Sequence, residues 1–165
     1  MIQLRKLTSN DFDLIYKWCS NKTIYEWFEQ RPLSKEEIIK KYTKKLKEKK
    51  QELYIIQYLN KEIGLTQIYP YEIDNSIYEF DIFIGEEDQN KGIGVQAIQE
   101  IKKYIYETYH PNAILLRPFK RNTRAIHCYE KCGFKILREE ESTDTLNHKE
   151  TIVIMMNQKE DNHEI

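Results

Sequence analysis

The spacing of apolar positions changes several times along the chain, and each change predicts an element. Residues 2–7 alternate apolar and polar, the pattern of a half-buried strand. Thr8-Ser9-Asn10-Asp11 supplies N-cap residues for a helix carrying Phe12, Ile15, Tyr16 and Cys19, with Asn21 and Lys22 as its break. Residues 24–29 form a short aromatic segment in which Trp27 and Phe28 stand between Glu26 and Glu29. Ser34 then caps a second helix, with Glu37 at the capping-box position. This helix runs to about residue 49 and offers Ile38, Ile39, Tyr42 and Leu46 as its buried stripe.

Residues 53–59 and 63–69 read as two strands of a hairpin turning at Asn60-Lys61-Glu62. A further strand is predicted over Ile77–Ile84, then a helix over 95–108 packed through Val95, Ile98, Ile101 and Ile105. The four apolar residues Ala113–Leu116 predict a short buried strand. A helix over Thr123–Lys131 ends with Gly133 as its C′ residue. Residues 134–138 and 151–156 read as two final strands, antiparallel to each other. This order predicts one mixed α/β domain over 1–157, followed by a polar, frayed tail over 158–165.

Composition narrows the function. The 165 residues are 40% hydrophobic and 32% charged, enough for a real core under a heavily solvated surface. A net charge of -1 argues against general binding to nucleic acid or membrane surfaces. No apolar run reaches transmembrane length, and the N-terminus lacks the apolar core of a signal peptide. With Cys19, Cys128 and Cys132 an odd set, a cytoplasmic protein is expected. Cys128 and Cys132 share a helix face beside His127, but no second Cys or His pair has ligand spacing. Packed thiols are therefore expected, and no metal. The lysines at 40, 41, 44, 45 and 47 read as a solvated face, since no aromatics interleave with them.

Two stretches carry candidate chemistry. Between the strand and the helix that follows it, Gly92 and Gly94 flank a turn. A G-x-G there suits a phosphate cradled on a helix N-terminus, and equally a plain turn. Position 97 is Ala97 and no G-K-[ST] follows, so neither common nucleotide loop is present. On the preceding strand, Glu79, Asp81 and Phe83 share one face.

Gln89-Asn90-Lys91-Gly92-Ile93-Gly94 resembles the Q/R-x-x-G-x-G/A motif of the GCN5-related N-acetyltransferases. Residues 122–134, from Asn122 through Tyr129 to Gly133 and Phe134, are similar to that family's N-x-x-A-x-x-x-Y-x-x-x-G-F segment. The resemblance covers essentially the whole chain. It implies an α/β fold with a mixed, mostly antiparallel sheet flanked by helices. A splayed parallel pair at the sheet centre, Ile77–Ile84 and Ala113–Leu116, would hold acetyl-CoA. It further implies that backbone groups at Phe83 and Ile84 meet the pantetheine arm, and that the loop of Gln89, Asn90, Lys91, Gly92, Ile93, Gly94 and Val95 holds the pyrophosphate. Asn122 would contact the CoA arm. Tyr129 would stand near the thioester sulfur as acid to the leaving thiolate, the alternative being a tyrosine that only packs.

Within the family, Trp18, Ile63-Gly64, Gln67-Ile68-Tyr69, residues 80–86 and Arg124-Ala125-Ile126 resemble segments of the aminoglycoside 6'-N-acetyltransferases. That likeness implies a small-molecule primary amine as partner, the 6'-amine of an aminoglycoside, and a role in antibiotic resistance. The acceptor would be bound by Trp27, Gln67, Tyr69, Glu79 and Asp81. Asp81 would orient the ammonium, or act as base if burial or Glu79 raises its pKa. Glu26 and Glu29 among aromatics would also suit a polycation. The alternatives are transfer to a protein N-terminus, a ribosomal protein or a metabolite amine, acyl transfer in siderophore assembly, or a non-catalytic acyl-CoA-binding module. A monomer or homodimer is expected. One departure stands out: Arg117-Pro118 occupies a place where the aminoglycoside enzymes often have an acid. Arg117 would either repel a polyamine or point at the CoA phosphates beside Lys120 and Arg121.

Overall fold

The computed structural model describes residues 1–159. Seven strands form one sheet in the order β1-β2-β3-β4-β5-β7-β6. They are β1 (Ile2–Lys6), β2 (Glu52–Tyr58), β3 (Lys61–Pro70), β4 (Ile77–Ile84), β5 (Ala113–Leu116), β6 (Lys135–Thr143) and β7 (Lys149–Gln158). All neighbours pair antiparallel except β4 and β5. The helices are α1 (Phe12–Cys19), α2 (Lys22–Tyr25), α3 (Lys35–Lys47), α4 (Ile93–Tyr109) and α5 (Thr123–Lys131). This is the expected mixed, mostly antiparallel sheet with a central parallel pair.

Two cores explain why the central strands are apolar without a break. Tyr54 and Ile56 of β2 pack on one side of the sheet with Ile98, Ile101 and Ile105 of α4. Leu53 and Ile55 pack on the other with Phe12 and Ile15 of α1 and Ile38 of α3. A strand covered on both faces has no polar side to show.

Several local expectations need correction. The β2–β3 turn is shorter than expected: Leu59 and Asn60 both take positive φ, at 51° and 65°, as a two-residue hairpin turn demands. Lys61 and Glu62 therefore belong to β3. The Asn21 break also starts a new element, because its side chain accepts from the Thr23 N–H at 2.9 Å and caps α2. In α3, Ile38 and Tyr42 are buried but Ile39 and Leu46 are exposed. The inner face is completed instead by Lys41 and Lys45, which lie over the Tyr42 ring. Those two lysines are thus not part of the solvated face. Gln158, placed in a frayed tail by its polarity, pairs with Ala113 at the end of β7, while residues 160–165 lie outside the described residues. β6 and β7 outrun their expected lengths because β6 is solvent-exposed almost throughout and needs no apolar pattern.

The Ser34–Glu37 capping box is present in both directions, at 3.1 and 3.0 Å. Ser34→Ala should destabilise the protein by about 1 kcal/mol. The check is a urea titration, where the midpoint should fall with the slope unchanged.

Candidate active site

β4 and β5 pair only from Ile77↔Ala113 to Glu79↔Leu115. Beyond that point β4 continues to Ile84 against β3 alone, while the chain leaves β5 at Arg117-Pro118. The fork opens into a cavity of about 650 Å³, a size suited to a small-molecule site.

One half of the cavity is a backbone cradle. Gly92 takes φ 75° and caps α4 with no side-chain hydrogen bond. Such a φ favours glycine, and the first N–H groups of the helix are left without intrahelical acceptors. A Cβ built on Gly92 or Gly94 would meet nothing within 4 Å, so the backbone is open to a ligand. With the positive end of the helix dipole behind it, this geometry suits a phosphate. Asp88 also lines the cavity and would oppose an anion, but Lys61 lies 3.4 Å from it.

The expected cradle residues divide by what they offer. Asn90, Gly92, Gly94 and Val95 line the cavity. Lys91 and Ile93 do not: Lys91 is exposed and the Ile93 side chain packs into the core. Gln89 lines the cavity, yet its amide donates to the Ile84 carbonyl at 2.8 Å and to the Thr23 hydroxyl at 3.2 Å. It fastens the loop to the end of β4. Asn122 lines the cavity while its side-chain oxygen accepts from the Ala125 N–H at 3.3 Å, capping α5. The neighbouring Phe83 and Ile84 are present in the lining as well.

The other half holds the titratable groups. Tyr129 is carried into the cavity by α5, its ring packed edge-on against Phe80 and Phe134. Burial pushes its phenol above the ordinary value. Asp81 is exposed to solvent through the cavity and shares the cavity wall with Tyr69, Glu79 and Arg117. Desolvation in that wall still raises its carboxyl, opposed by the Tyr69 hydroxyl donating at 3.2 Å and by the charges of Lys45, Arg117 and Lys41. Glu79 is raised by burial too, against the pull of Arg117, whose Nη2 stands 2.9 Å from Glu79 Oε1.

The remaining acceptor-side expectations meet mixed outcomes. Trp27 lines the cavity, but the Arg121 guanidinium lies over its ring at 4.8 Å. Gln67 lies instead on a smaller cavity of about 200 Å³ behind Asp81, where Lys45 donates to it at 2.5 Å. Glu29 borders that smaller cavity and is tied to Lys41 at 2.6 Å, while Glu26 lines neither. Arg117 stays in the acceptor half, and Lys120 and Arg121 pair with Glu139 and Glu150.

Three further lining residues were not singled out as ligands from the sequence. Arg124, Cys128 and Lys131 line the cavity from α5. Their i, i+4, i+7 spacing from Tyr129's own helix was the available signal. All three cysteines are free, and Cys132 is buried.

Comparison with known proteins agrees with this architecture. The model of the acetyltransferase (GNAT) domain matches residues 2–135. A spermidine N(1)-acetyltransferase of Vibrio cholerae is 28% identical over 135 residues, covering 81% of this chain and 78% of that protein. An aminoglycoside N(6')-acetyltransferase type 1 of Klebsiella pneumoniae is 27% identical over 149 residues, covering 81% and 74%. The crystal structure of aminoglycoside acetyltransferase AAC(6')-Ib with coenzyme A superposes with a TM-score of 0.84 at 21% identity, covering 98% of this chain and 96% of that one. The Vibrio cholerae spermidine N-acetyltransferase with CoA and spermine gives 0.84 at 23% identity, covering 97% and 96%. With its fork, its glycine cradle and a family match over most of its length, the chain belongs to the GCN5-related N-acetyltransferases.

Proposed function

We propose that this chain is an acetyl-CoA-dependent N-acetyltransferase that acetylates a primary amine docked on Asp81. The observation that carries the reading is the meeting of Asp81, Tyr129 and the open N-terminus of α4 in one cavity at the β4–β5 fork. The cradle fits the diphosphate of CoA, because the space above Gly92 and Gly94 is open and the helix N–H groups are unspent. Acetyl-CoA supplies an acetyl group activated as a thioester.

The protein's residues then divide the work. The N–H groups at the start of α4 hold the phosphates, aided by Arg124 and Lys131. Asp81 binds the ammonium and, with its carboxyl raised, takes the proton that must leave before the nitrogen attacks. Tyr129 donates a hydrogen bond to the departing sulfur. The nitrogen–carbon bond forms as the carbon–sulfur bond breaks, with transfer direct from donor to acceptor. Acetyl-CoA mixed with the protein alone should leave its mass unchanged. A covalent adduct on Cys128 or Cys132 would overturn direct transfer.

Two acceptors are carried forward. The segment likeness supports the 6'-amine of an aminoglycoside, and relatives of similar identity include both aminoglycoside and spermidine enzymes. The Arg117–Glu79 pair favours the second reading, a small amine of lower positive charge. Thiol release from acetyl-CoA with kanamycin, tobramycin, spermidine and short peptides tests both. Thiol should appear only with an amine, together with its N-acetyl product. Release no faster than hydrolysis with every amine would overturn the enzyme reading, and none with either aminoglycoside would remove the first acceptor.

A further inference from the structure

The features expected to draw a polycation into this site are already occupied by cations of the chain itself. Buried Glu79 holds Arg117 at 2.9 Å. The Trp27 ring lies beneath Arg121, which Glu150 holds at 3.1 Å. Glu29, beside the smaller cavity, holds Lys41 at 2.6 Å. Of the three carboxylates lining the main cavity, Asp88 is near Lys61 and Glu79 is on Arg117. Asp81 alone has no ion-pair partner among the described residues.

Glu79 and Asp81 are two residues apart on β4, which sets them about 7 Å apart along the strand on one face. An ammonium on Asp81 therefore has Arg117 as its close neighbour. The Arg117 side chain is 47% exposed, lines the cavity and has the Tyr71 ring 5.9 Å from its guanidinium carbon. A guanidinium has five N–H donors, so most remain after Glu79 is served. A second ammonium arriving there meets like charge, and can reach Glu79 only by displacing Arg117. A carboxylate arriving there meets a preformed fork of donors.

We propose that the Arg117–Glu79 pair is a charge filter on the acceptor, and that the acceptor is a small primary amine carrying a carboxylate close to the amine. The inference rests on the proposed docking of that amine at Asp81. It selects against spermidine-like and aminoglycoside-like polycations by a positive charge built into the acceptor wall.

The test compares glycyl-glutamate with glycyl-lysine, and includes spermidine. The two dipeptides share the N-terminal amine and the C-terminal carboxylate and differ in the sign of the side-chain charge. Rates are taken for the N-terminal acetyl product, identified by mass spectrometry. In the wild-type protein kcat/KM for glycyl-glutamate should exceed that for glycyl-lysine by about tenfold, with the gap closing as salt screens it. Arg117→Gln should bring the ratio to about one, and Arg117→Lys should keep it. Arg117→Gln strands a buried carboxylate and can lose the fold. The double variant Glu79→Gln/Arg117→Gln removes both charges and should show the same loss of preference. Calorimetric titration of the three amines into the CoA-saturated protein reads the same ratio from binding. Equal ratios in wild type and charge-removed variants would overturn the proposal. So would a wild-type preference for glycyl-lysine or spermidine, or binding of none of the three. Absent turnover with a clear binding preference would instead defeat the catalytic reading while sustaining the filter.

Discussion

Asp81→Asn lowers kcat/KM for amine acetylation by about 10²–10³-fold, the range expected when a positioned acid–base group is lost. CoA binding changes little, because the cradle uses backbone of α4 and not the Asp81 side chain. Isothermal titration with CoA separates the two effects. The pH profile adds a second reading. Burial raises the Asp81 carboxyl, so the acid limb of kcat/KM should fall at a higher pH than an ordinary aspartate would give, and Asp81→Asn should abolish that limb. The same shift works against the fold. A carboxyl raised above its ordinary 3.8 holds its proton more tightly in the folded protein, so the stability present below pH 3.8 is lost as pH rises through the raised value. At neutral pH the ionised group is a net burden. Asp81→Asn should therefore raise Tm at pH 7 while it removes activity. An unchanged kcat/KM would take Asp81 out of the site.

Tyr129→Phe cuts kcat about 10²-fold, the loss expected for one donor aimed at developing negative charge. The variant keeps its fold, because the contacts of Tyr129 with Phe80 and Phe134 come from the ring. Burial pushes the phenol further above the ordinary value, while a thiol titrates near ~8.5. Outright proton transfer from tyrosine to sulfur is thus uphill. On the proposed mechanism the phenol would therefore serve as a hydrogen-bond donor, and the sulfur would take its proton from solvent. It follows that Tyr129 should contribute no alkaline limb near neutrality. Stopped-flow measurement of thiol release checks this, and full activity in the Phe variant would make Tyr129 a packing residue only.

Much of this could be read from the residues because local chemistry agreed with the fold. α5 begins and ends where expected, since Asn122 caps it and Gly133 takes φ 89° beyond it. β4 and β5 likewise coincide with their apolar runs. The misses have physical causes too. Leu59 reads as a strand residue, but the hairpin twist forces it into positive φ. Ile39 and Leu46 fit a helical stripe, yet both are exposed, and the ammonium groups of Lys41 and Lys45 lie over the Tyr42 ring on the inner face. The pairings that decide the charge of the acceptor site, Arg117 with Glu79 and Arg121 over Trp27, join residues far apart in sequence. They exist only because the fork brings the start of one loop against the face of another strand, and no spacing rule encodes that.

The position of β7 carries a consequence for how the protein is made. It enters the sheet between β5 and β6, so the seventh strand in chain order is the one that covers the free edge of β5. The turn before it reaches across to the opening third of the chain, where Thr145 donates to the Glu29 carbonyl at 2.7 Å and its N–H to the Gln30 side chain at 3.2 Å. Contacts of such long sequence separation form slowly, since loop-closure entropy must be met first. A nascent chain stopped before residue 149 would expose the apolar edge of β5 to other strands. A chain that lacks β7 is then an aggregation hazard rather than merely a less stable copy of the fold.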